Sequence, residues 1–180
     1  ASNAYYIKGD FERALIEVNA ALNVIGDLDL PAGEAKLKTN AVWCELHAGI
    51  VDRHSQQARL DEAAAVLHVH GQSMPLAWVS ASFALLHAKL GDSVAFKRSA
   101  EEAIAVSVNI NSRDHDELIV ALAGIAVAHD EKPFAKDLIE RFDARTREIP
   151  HSRAEALILY RAGKVAEALG DFKRAFEYLD

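Results

Sequence analysis

The chain holds a single cysteine, Cys44, in 180 residues, which excludes an internal disulfide framework and points to a reducing compartment, the cytoplasm. Basic clusters are missing as well: 20 Lys and Arg lie scattered among 27 Asp and Glu, for a formal charge of −7. Phosphate contacts need a basic patch, so no direct nucleic-acid contact is expected, and no contact with an anionic membrane. No apolar run reaches the roughly eighteen residues of a membrane span. A Gly-rich phosphate loop, a Gly-x-Ser-x-Gly elbow and a dinucleotide fingerprint are all lacking, so neither a cofactor nor an enzyme is expected. Proline occurs four times, so little interrupts a succession of helices.

What is present is alanine, the strongest helix former, in a chain that is 51% hydrophobic and long enough to bury one continuous core. Apolar residues recur at helical spacing. Phe11, Ala14, Leu15, Val18, Ala21 and Leu22 predict a helix over 11–24. A loop bracketed by Gly26-Asp27 and Pro31-Ala32-Gly33 leads to a second helix from about Gly33, with Leu37, Ala41, Val42, Leu46 and Ile50 on one face. Gly49 to Asp52 reads either as a turn or as helix running on through His54. Leu60, Ala63, Ala64 and Leu67 define the next helix, ending near Gly71. Pro75 suits the first turn of a helix striped by Leu76, Val79, Phe83, Leu86 and Leu90. Phe96, Ala100, Ala103 and Ile104 line its partner. The helix starting at Arg113 to Glu117 is apolar nearly all round, which implies burial on two sides. Phe134, Leu138, Ile139 and Phe142 follow, then a loop at Ile149-Pro150 with Ser152 as N-cap.

The two ends of the chain share a corner. Gly9-Asp10-Phe11 opens it and Gly170-Asp171-Phe172 closes it, and Gly91-Asp92 repeats the pattern between them. Around the closing corner, Leu159, Ala162, Gly163 and Ala166 mark one helical face, and Ala175, Phe176 and Leu179 mark another. This stretch resembles a tetratricopeptide repeat, a helix-turn-helix unit with small residues at fixed positions. Corners at Asp10, Asp52, Asp92, Asp130 and Asp171 lie 42, 40, 38 and 41 residues apart. That period exceeds the roughly 34 of the standard unit and is similar to the extended arrays of bacterial signalling proteins and transcription activators. HEAT and armadillo repeats share the longer period but do not explain Gly-Asp-Phe at the corners. The resemblance implies an all-α fold, a right-handed superhelix (α-solenoid) of about five antiparallel helix pairs in one domain over 1–180. Its units fall at approximately 1–26, 33–71, 75–109, 113–147 and 151–180. Ala1 to Tyr6 reads as the tail of a first-repeat helix and Asp180 as a stop within another, so a larger protein is expected.

Chemistry is harder to find. His68 and His70 are two apart, on different helical faces; His47 and His54 are seven apart, with no carboxylate to complete a metal set. Polar-face histidines account for them better than a metal site. Asp114-His115-Asp116-Glu117 sits where a helix begins, and acidic residues there are stabilised by the helix dipole. Cys44 reads as a packed small residue rather than a nucleophile. Glu101-Glu102 and Asp61-Glu62 belong on solvated faces.

What remains is shape. In the tetratricopeptide family, ligand contacts come from fixed positions on the first helix of each pair. Carried over by the resemblance, these are Lys38, Glu45, Trp78, Leu85, Tyr160 and Lys164, with Ala123 between them. Trp78 and Tyr160 read as partner anchors or as packing between helices. The expected function is a non-enzymatic protein-interaction module whose groove takes a peptide or another segment of the same polypeptide, as the input or regulatory part of a larger bacterial signalling protein. The alternatives are a small-ligand sensor with an apolar pocket near Leu85, Ala123 and Trp78, and a self-associating homo-oligomer.

Overall fold

Glycine at a positive φ ends helices here, and an aspartate begins the next. Gly91 (φ 75°) closes one helix in a Schellman motif, with its N–H donating to Ala88 O and the Asp92 N–H to His87 O. Asp92 then turns its carboxylate onto the Ala95 N–H at 2.9 Å and caps the following helix. Asp10 and Asp171 act the same way on Arg13 and Arg174.

The computed structural model describes residues 9–110, 112–146 and 156–178. Among them are nine α-helices, a 3-10 turn and no strand: α1 Phe11–Ile25, α2 Pro31–His47, α3 Arg53–Val69, α4 Ser73–Lys89, α5 Ser93–Ser107, α6 Ser112–Ala128, α7 Lys132–Thr146, α8 Ala156–Ala168 and α9 Phe172–Glu177. The 3-10 turn, Gly26–Leu28, follows α1. The predicted loop at Ile149-Pro150 and Ser152 lies outside the described residues, as do Ala1 to Tyr6 and Leu179.

Each helix packs on the next, and α2, α4, α6 and α8 also pack in succession on one another. Side chains join the others across the same distance: Phe96 of α5 meets Phe134 of α7 edge-on at 5.6 Å, and Arg174 of α9 reaches Asp143 of α7 at 3.1 Å. A single apolar core runs from Ala35 to Val165. It includes Leu118, Ile119, Val120, Leu122, Ala123, Ile125 and Ala126, so α6 is buried on several sides as its sequence predicts. α4 is buried in the same way, from Ala77 to Ala88.

Several expected details are corrected. α2 starts at Pro31, not near Gly33, because proline's fixed φ suits the first helical position. Gly49 (φ 82°) ends α2, and Asp52 caps α3 through the Ser55 N–H, so the helix does not run through His54 and Ile50 is an exposed turn residue. The buried Gln56 pins that turn, with Nε2 donating to Ile50 O and Oε1 accepting from the Asp52 N–H. On α9, Ala175 is buried but Phe176 is 66% exposed, since one residue rotates a helix by about 100°. Tyr178, three residues past Ala175, occupies the inner face against Phe142.

The fourth corner is also shifted by one residue. Asp130 takes φ 60°, the place glycine holds elsewhere, and the Glu131 N–H donates to Ala126 O where Asp92 and Asp171 do so. Positive φ thus recurs at Gly9, Gly49, Gly91, Asp130 and Gly170, at steps of 40, 42, 39 and 40, and also at Gly71, which ends α3 with the same pair of hydrogen bonds. An L side chain at positive φ costs about 1–2 kcal/mol, somewhat less for aspartate. Asp130→Gly is expected to raise unfolding stability by up to about 1 kcal/mol, and Gly91→Val to lower it by about 1–2 kcal/mol. Urea denaturation reads both; no atom stands within 4 Å of a Cβ at Gly91, so the loss measures backbone strain and not a clash.

Candidate functional site

Helical spacing of four puts Trp43 with His47, Leu85 with Lys89, and Arg161 with Val165 on shared faces of α2, α4 and α8. On α6 the same spacing aligns Val120, Gly124 and Ala128. These faces converge on a cleft of about 410 Å³, flanked by Gly9 and Phe11 at the start of α1. Small residues keep it open: Ala121, Gly124 and Ala128 form its floor, and a Cβ at Gly124 would meet no atom within 4 Å.

One wall is aromatic. Phe11 stacks on His47 at 4.4 Å and 13°, His47 tilts against Trp43 at 4.9 Å, and Trp78 stands edge-on behind Trp43 at 5.3 Å. Trp43 Nε1 and His47 Nε2 are both shut off from solvent and have no hydrogen-bond partner among the described residues. Burial pushes the His47 pKa down to about 4, and the charges of Lys89 and Arg161 push the same way, so its ring is neutral at pH 7. His129, also on the cleft, is lowered by burial and by Lys89.

Lys89, Arg161 and Lys164 supply the charge. Arg161 lies 3.4 Å from Glu117 and Lys164 lies 2.8 Å from Glu167 on the exposed side of α8. The hydrogen bond that Lys164 donates to Glu167 raises the Lys164 pKa. No carboxylate is among the described residues lining the cleft.

The residues carried over from the repeat resemblance divide between different places. Leu85 and Lys164 line the cleft together. Trp78 is half-buried and supports it through Trp43, while Ala123 is fully buried in the core. Tyr160 is 50% exposed and does not line the cleft. Lys38 and Glu45 face α3 instead: Lys38 pairs with Glu62 and Glu34 at 2.9 Å, and Glu45 pairs with Arg59 and accepts from Gln56 at 3.1 Å. Trp43, His47, Lys89, Gly124 and Arg161 were not singled out from the repeat positions. The spacing-of-four pairs that end α2 and α4 are the signal that finds Trp43, His47 and Lys89, and nothing comparable marks Gly124 or Arg161.

Asp114-His115-Asp116-Glu117 does more than begin a helix. His115 and Asp116 are buried; His115 Nδ1 shares a 2.7 Å hydrogen bond with the buried Ser107 hydroxyl, and Asp116 accepts from Arg145 at 2.9 Å. With Glu117 against Arg161, the run ties α6 to α5, α7 and α8. Ser107 is fully buried, so this pair has no access to a substrate. Cys44 is buried too, and desolvation followed by the Glu45 charge pushes its thiol up to about 11, which leaves it protonated.

No family model matches this chain, and no curated protein matches it. Among the described residues no three His, Cys, Asp or Glu side chains are grouped to hold a metal ion, and no helix is long and apolar enough to cross a membrane.

Proposed function

We propose that the chain is a non-enzymatic binding module of tetratricopeptide-like helix pairs in a right-handed superhelix, and that its guest sits in the cleft between α2, α4, α6 and α8. Schellman corners at Gly49, Gly91, Asp130 and Gly170, at steps of 42, 39 and 40, support the repeat reading, with Gly71 a further corner inside the second unit, as does the row formed by alternate helices. Its place as the regulatory input of a larger bacterial signalling protein rests on the repeat resemblance.

The observation that carries the binding reading is the convergence of four helices on one apolar-walled cleft with a glycine in its floor. Glycine inside a helix costs roughly 0.5–1 kcal/mol against alanine, so Gly124 is a liability to the helix that keeps space free. A volume of about 410 Å³ lies within the range of small-molecule sites, roughly 300–1,000 Å³. It favours one or two side chains of a peptide, or a small ligand, over a whole docked helix.

Filling the cleft tests this. Gly124→Leu improves helix propensity and places its side chain in the open space, so the fold is retained. N-phenyl-1-naphthylamine, a neutral fluorophore, is expected to bind the wild type and to bind Gly124→Leu at least about tenfold more weakly. Equal binding by the two proteins would remove the cleft as the site.

A further inference from the structure

The charge on the cleft is opposite to that of the chain. In a protein of formal charge −7, three cations and no carboxylate are found among the described lining residues. Lys89 has no ion-pair partner among the described residues, while Arg161 is engaged by Glu117 and Lys164 by an exposed glutamate of its own helix. Exposed pairs of the last kind contribute little and rearrange readily.

The C-terminal turns of α2, α4 and α6 also reach the cleft, and a helix end carries about half a negative charge. Their last carbonyls are taken up by the Schellman hydrogen bonds, and each half-charge is smaller than the full charge of a lysine. Beside the cations lie an apolar floor at Ala121, Gly124 and Ala128 and the aromatic wall of Phe11, His47 and Trp43.

Resting on the binding reading above, we propose that the guest is a small amphipathic anion: an apolar or aromatic body laid over Gly124 against Trp43, with one acidic head held by Lys89 and Lys164. The uncharged walls bury the body, and the rim cations supply the charge complementarity that selects an anion over a neutral molecule of the same shape. Buried His47 is neutral at pH 7 and belongs to the uncharged wall.

Two related probes separate the body from the head. 8-Anilinonaphthalene-1-sulfonate carries an aromatic body and an anionic sulfonate; N-phenyl-1-naphthylamine carries the same body without the charge. Lys89→Gln with Lys164→Gln is expected to weaken the sulfonate by roughly fivefold or more at low salt, while the neutral probe changes by less than about twofold. Both lysines are exposed, so the double variant folds. A double variant that binds the sulfonate as tightly as the wild type, or that loses both probes equally, overturns the anionic guest and leaves the cleft reading standing. Failure of both probes to bind the wild type, or undiminished binding of both by Gly124→Leu, defeats the cleft reading itself.

Discussion

Taking the protein from pH 7.5 to pH 4.5 is expected to remove about 2–3 kcal/mol of folding stability through His47 alone. The folded pKa of this imidazole, about 4, lies below the ordinary histidine value of about 6.5. The unfolded chain therefore takes up the proton first as the pH drops. The contribution is fully present above about 6.5 and is lost as the pH falls towards 4. His87, His115 and His129 are lowered by burial and act with the same sign. So does Glu131, whose carboxyl is held below its ordinary value by hydrogen bonds from Lys97 and Ser93. Urea unfolding at a series of pH values reads the slope. His47→Phe keeps a ring stacked between Phe11 and Trp43 and removes the titration, so its stability is expected to fall much less between pH 7 and 5. Parallel pH profiles for the variant and the wild type would show that the imidazole is not held neutral by its surroundings.

Phe96→Ala is expected to cost about 3–5 kcal/mol, a large share of the roughly 5–15 kcal/mol that holds a domain together. Phe96 is fully buried and its ring is the contact between α5 and Phe134 of α7. Truncation leaves a cavity in a core whose other members, among them Ala100, Leu138 and Ile139, are themselves fully buried and packed, so the space cannot readily collapse. Phe172→Ala makes the contrast: it belongs to the Gly-Asp-Phe signature yet is 70% exposed, and its loss is expected to stay within about 0.5 kcal/mol. Equal losses from the two substitutions would contradict this division between core and surface.

That contrast shows where the sequence is legible. Glycine and aspartate at the corners carry backbone information, and Gly9-Asp10, Gly91-Asp92 and Gly170-Asp171 take their places as read. The fourth corner hides because Asp130 adopts a left-handed angle that composition associates with glycine, and Glu131 takes the place of the capping aspartate. The sequence places Ala175 and Phe176 on one face, but adjacent helical residues point about 100° apart and only Ala175 faces the core. The all-helical fold and the burial of α6 follow from periodicity, which reports one helix at a time. The cleft does not, because it is made by four helices whose relative rotation depends on corner geometry. Lys38 and Glu45 illustrate the difference: their positions on α2 are right for a repeat, yet acidic and basic partners on α3 draw them to that seam.

At Gly91-Asp92 and Gly170-Asp171, the residue that ends one helix motif also caps the next helix, with no spacer. Adding one residue there would turn the downstream helix by about 100° and misalign its buried face. Between α2 and α3, Ile50 and Val51 separate Gly49 from Asp52, but the buried Gln56 bridges Ile50 O and the Asp52 N–H and fixes that link as well. Among the described links, those at Gly49–Asp52, Gly91-Asp92 and Gly170-Asp171 thus each set the rotation of the helix that follows.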